Sequence, residues 1–93
     1  MTVRQATTAT AASVASSASS VALFAANSGA RARTITNDSS QVLYVKFGTT
    51  ASTSSYTAQV AAGGYYEFPQ PLYAGAVDAI WASANGNART TEW

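Results

Sequence analysis

From residue 19 onward, apolar and polar positions alternate with the period of two that β-strands require. No stretch places long apolar side chains at the 3.6-residue spacing of a helix. The clearest run is QVLYVKFG, residues 41–48, where Leu43, Val45 and Phe47 share one face and Val42, Tyr44 and Lys46 the other. Lys46 must keep its ammonium in water, so the face of Leu43, Val45 and Phe47 is assigned to the core. Before it, SVALFAAN ends at the turn signal Asn27-Ser28-Gly29, and RARTITN sets Arg31, Arg33 and Ile35 against Ala32, Thr34 and Thr36. After it, TTASTSS reads as a flexible loop and YTAQVAA as a strand ended by Gly63-Gly64. In YYEFP, Tyr66 and Phe68 point inward and Tyr65 and Glu67 outward, with Pro69 and Pro71 ending the pairing. GAVDAIWAS is the next strand, and Asn85-Gly86 is expected to fold ARTTEW back on it as a hairpin, because both residues tolerate positive φ.

These elements predict an all-β fold of about seven short antiparallel strands, a small β-sandwich or flattened barrel. The domain spans residues 19–93, preceded by an Ala/Ser/Thr-rich stretch, residues 1–18. Serine and threonine in that stretch compete for the backbone and discourage helix, so it reads as an extended or flexible arm. Two readings of the arm stay open: a supplementary strand laid on a partner, or a disordered tail. An α+β arrangement would require the arm to be helical.

With 93 residues and no cysteine or histidine, the chain has neither disulfides nor the usual zinc ligands to reinforce a small core. A domain of this size buries only about 60–65% of its unfolded surface, which leaves assembly with other chains as the expected support. Charged residues form 10% of the chain and the net charge is +1, too little for binding phosphate backbones, so no nucleic-acid partner is expected. The uncharged stretch between Arg4 and Arg31 carries too much Ser, Thr and Asn for a membrane span, and lacks the compact apolar segment of a secretion signal.

The same composition argues against catalysis. Without Cys or His, the common nucleophile–base pairs are absent, and Asp38, Glu67, Asp78 and Glu92 stand apart in sequence. Asp78 is expected to face solvent or to pair with Arg89 across the last hairpin, and Asp38 to cap turn amides. No phosphate loop, calcium loop, metal site or cofactor site is expected. Among the ten aromatic residues, Tyr44 and Tyr65 fall on outer faces and Tyr73 follows the two prolines. Tyrosine is a favoured anchor at protein interfaces, so Tyr44, Lys46, Tyr65 and Tyr73 are the candidate interface residues.

Five motifs occur in fixed order: Asn37-Asp38-Ser39, the strand from Leu43 to Gly48, the segment from Tyr65 to Pro69, the strand from Asp78 to Trp81, and Ala88 to Glu92. In this order and spacing, over about residues 19–92, the chain resembles small β-rich proteins encoded among the structural genes of tailed bacteriophages. The resemblance implies a virion component on the capsid surface, and the missing Cys and His make a non-enzymatic one the expectation. Such a protein would decorate or cement the capsid as a homo-oligomer or lattice-bound subunit, with the major capsid protein or other virion proteins as partners. A tail, head-fibre or adaptor component, or a carbohydrate- or host-binding module using Tyr44, Tyr65 and Tyr73, is the alternative. The arm lies outside the resemblance.

Overall fold

The expected strands form, and an eighth precedes them. The computed structural model describes residues 5–93, in the order β1 (Thr10–Ala15), β2 (Val21–Phe24), β3 (Arg33–Asp38), β4 (Leu43–Phe47), β5 (Ala58–Val60), β6 (Tyr65–Glu67), β7 (Val77–Trp81) and β8 (Asn87–Glu92). They make two antiparallel four-stranded sheets, one in the order β1-β8-β3-β6 and the other β2-β7-β4-β5. The result is a sandwich with open edges rather than a closed barrel. Among the described residues no helix occurs.

The chain changes sheet at every connection but one, the β4–β5 hairpin. This overturns the hairpin expected at Asn85-Gly86. β7 and β8 lie in different sheets, so the turn bridges the two layers. Gly86 has φ +72° while Asn85 keeps a negative φ, which rules out the type I′ turn that pairs adjacent strands. Asn85 instead ties this turn to the β3–β4 turn, its Oδ1 accepting from the Ser40 amide at 3.0 Å and the Ser40 hydroxyl at 2.9 Å. A Cβ on Gly86 would collide with the Asp38 carbonyl oxygen and come within 2.9 Å of Ser39. Gly86→Ala is therefore expected to lose about 2–4 kcal/mol, from the left-handed backbone plus the clash, read as a lower urea midpoint.

The inward faces follow the alternation. Leu43 and Val45 are fully buried and Phe47 packs at the margin of the core; Phe68 is buried and Tyr66 partly so. Burial pushes the Tyr66 phenol above its ordinary pKa. In β2 a bulge between Ala22 and Phe24 breaks the period of two, and Leu23 and Phe24 both become buried. An aromatic cluster fills one end of the core: Phe68 meets Phe24 edge-on at 5.5 Å and stacks on Phe47 at 4.8 Å. Trp81 fills the other end.

Residues 10–15, within the stretch read as an arm, form β1 and pair with β8 along its whole length. The strand sits on this domain's own sheet. Residues 1–4 of that stretch lie outside the described residues.

Candidate docking surface

Alternation in β4 that buries Leu43 and Val45 turns Tyr44 and Lys46 outward, and alternation in β7 does the same for Asp78 and Ile80. Register then sets Gln59, Tyr44 and Ile80 in one row across three strands, and Lys46, Asp78 and Ala22 in the next. Tyr56, 39% exposed, leans edge-on against Tyr44 at 5.0 Å, and its hydroxyl accepts from Gln59 Nε2 at 2.6 Å. Lys46 Nζ donates to Ser55 Oγ at 2.8 Å and to the Thr50 carbonyl at 3.2 Å, so the serine-rich loop before β5 wraps the rim of this face. Ser20 donates to Asp78 at 3.3 Å and accepts from the Ala51 amide at 3.0 Å, so the same loop is also fastened beside Asp78. The outcome is a weakly charged face that carries Tyr44, Tyr56 and the half-buried Ile80, with the loop of residues 49–55 fastened at its Lys46–Asp78 end.

Of the four candidate interface residues, this face unites Tyr44 and Lys46. Tyr65, 62% exposed, stands on β6 in the other sheet. Tyr73 belongs to the core margin, where its ring stacks on Phe47 at 5.0 Å and 9° and its carbonyl accepts from Arg33. Tyr56 joins the site without having been singled out in the sequence. Only the hairpin that returns β5 beside β4 brings it to Tyr44.

The charge pairing also differs from expectation. Arg89 pairs with Asp38 through a contact of 3.0 Å, not with Asp78, because β8 lies beside β3 while Asp78 is in the opposite sheet. Asp38 is thus the exposed end of β3 and an ion-pair partner, where a turn cap was expected.

Two polar residues that sequence reading passed over are buried on the inward face of β3, on either side of Ile35. Arg33 is 0% exposed. Its Nε donates to Glu92 at 2.7 Å, its Nη1 to the carbonyls of Tyr73 (3.0 Å) and Gly75 (2.7 Å), and its Nη2 to those of Ala25 (2.8 Å) and Ala74 (3.4 Å). The guanidinium carbon lies 4.8 Å from the Phe24 ring centroid. Asn37 donates from Nδ2 to the carbonyls of Gln41, Val60 and Ala61 at 2.7, 2.9 and 3.2 Å. Its Oδ1 accepts from Ser39 at 2.7 Å and from the Trp81 indole at 3.3 Å. The signal for both was their place two residues either side of Ile35, since one face of a strand holds i, i+2 and i+4. Each is fully engaged with the protein itself, so neither offers a free group to a ligand.

Among the described residues, no group of three or more Asp, Glu, His or Cys side chains gathers. A shallow groove between residues 6–10 and Trp93 is bordered by Arg31 and Glu92. Both are occupied, Arg31 by the Gln5 carbonyl at 2.8 Å and Glu92 by Arg33 and Asn27. No family model, no curated protein and no solved structure matches the chain.

Proposed function

We propose that the chain is a non-enzymatic structural protein of a tailed-bacteriophage virion, docked on the capsid through the outer face of the β2-β7-β4-β5 sheet. The observation that carries this reading is the Tyr44–Tyr56 pair, set beside Ile80 and Lys46 on the outer face of this sheet. Such a face suits contact with a folded protein surface, where tyrosine contributes most of its ring area at little entropic cost. The resemblance of the ordered motifs to those of small phage structural proteins supplies the setting. Low net charge fits a subunit held on a shell, and a partner that binds the folded form stabilises a small domain by mass action.

The test is binding of the full chain to purified particles of the virus that encodes it. Tyr44→Ala/Tyr56→Ala is expected to lower affinity about thirtyfold or more, at roughly 1–2 kcal/mol for each anchor, while the domain stays folded. Unchanged occupancy, or no binding by the wild-type chain, overturns the proposal. Immunogold label spread over the head supports decoration. Label confined to a vertex or tail moves the protein to a tail, head-fibre or adaptor role.

A further inference from the structure

The two sheets have four edge strands, and three of them are guarded. β5 and β6 are three residues long, and β6 carries Glu67 and stops at Pro69. β2 has four residues and is kinked by its bulge. Shortness, charge, proline and bulges are the devices by which sheets keep their edges from pairing with other chains. β1 has none of them. It is six residues long, in unbroken register with β8 from Thr10↔Glu92 to Ala15↔Asn87, and contains no charge, proline or glycine. All its residues are exposed except the half-buried Val14, and among the described residues no strand pairs with its second edge. An antiparallel strand bonded on one side turns the N–H and C=O groups of alternate residues away from that partner. Here those groups face solvent.

We propose that β1 is a self-association edge: the β1 strand of a second copy pairs with it antiparallel across a two-fold axis, joining two four-stranded sheets into one of eight. The second copy is the occupant that β1 itself specifies. A two-fold axis sets the segment opposite itself, and like charges facing each other are the usual obstacle to such pairing. Thr10–Ala15 presents no charge, and its Ala, Ser, Thr and Val side chains are small enough for the sheet to continue flat. Arg89, the cation that reaches β1 among the described residues, is held by Asp38 at 3.0 Å and donates to Ser13 at 3.3 Å, so it adds no repulsion. The edge lies in the sheet opposite the proposed docking face, and this inference goes beyond the virion reading without depending on it.

Sedimentation equilibrium of the full chain tests it. The expected result is a reversible, concentration-dependent species of twice the mass of the 93-residue chain. Ala11→Lys/Ala15→Lys, which adds like charges along the axis, is expected to weaken association at least about tenfold without moving the unfolding midpoint measured at dilutions where the wild-type chain is monomeric. The chain has no native cysteine, so a single thiol reports position cleanly. Ser13→Cys is expected to give dimers with a short bis-maleimide faster than Gln59→Cys on the other sheet. A monomer at every concentration, a dimer indifferent to the lysines, or equal cross-linking at the two positions overturns the proposal. Particle binding is read separately, so either proposal can fail while the other stands.

Discussion

Arg33→Met is expected to remove about 3–5 kcal/mol of folding stability, the scale for deleting one partner of a buried ion pair. Methionine fills similar space and keeps contact with Phe24, so the loss isolates the guanidinium. All five of its N–H donors are used, one on Glu92 and four on the carbonyls of Ala25, Tyr73, Ala74 and Gly75. These carbonyls come from the end of β2 and from the loop entering β7, both in the sheet opposite β3, so the Arg33 side chain ties the two sheets together. Without it the partly buried carbonyls of Ala25, Tyr73 and Gly75 lose this donor, Ala74 keeps only the Asn27 amide at 2.8 Å, and Glu92 turns to solvent through its exposed fifth. A 93-residue domain holds about 5–10 kcal/mol in total, and the thermal midpoint should fall by at least about 12 °C. Arg33→Lys should fall between wild type and Arg33→Met, since an ammonium has three donors and no planar fork. Glu92→Gln, which keeps an acceptor for Nε, should cost about 1 kcal/mol. A midpoint for Arg33→Met equal to wild type would show that the carbonyl cluster contributes nothing to stability.

Asn37→Ala is expected to cost about 3 kcal/mol or more by leaving buried partners unpaired at the other end of the core. Its amide is the donor for the carbonyls of Gln41, Val60 and Ala61, and its oxygen accepts from the Trp81 indole. The residue thereby links the β3–β4 turn, the end of β5 and the largest buried side chain of the other sheet. Asn37→Asp gives a sharper reading because the shape is kept and the donors are lost. At neutral pH a carboxylate would face three carbonyl oxygens in a buried site, which raises its pKa in the folded state. A group with a raised folded-state pKa contributes stability that is present below its unfolded value, about 3.9, and lost as pH rises through the folded value. Asn37→Asp should therefore regain stability relative to wild type on acidification, whereas Asn37→Ala should not. Urea midpoints for both variants across the acid range, followed by tryptophan fluorescence, decide this. Parallel pH profiles for the two would remove the amide donors from the account.

The two hubs explain why so uncharged a chain still adopts one arrangement. Apolar side chains of similar size can exchange places with little loss, whereas a guanidinium with five fixed acceptors or an amide with three has one site that satisfies it. Both sit on β3, a central strand, so the register of β3 against β6 and β8 is tied to the loops at each end of the sandwich.

By itself the sequence determined seven of the eight strands and the facing of β4, β6 and β7. Side chains in a strand alternate whatever the partner, so Leu43 and Val45 could be placed in the core, and Tyr44 and Lys46 outside it, before any pairing was known. Turn residues marked where strands stop for the same local reason, as at Asn27-Ser28-Gly29, where the Ala30 amide closes on the Asn27 carbonyl at 3.0 Å. Tertiary structure decided which strands are neighbours. Five of the six strand pairings join segments that do not follow one another in the chain, and nothing local records a partner that distant. Hence Asn85-Gly86 became a bridge between sheets, Arg89 met Asp38, and Tyr56 came to Tyr44. Thr10–Ala15 became a strand for the same reason: with little apolar content of its own, it acquires order from the edge of β8, which exists only once the rest of the sandwich has formed.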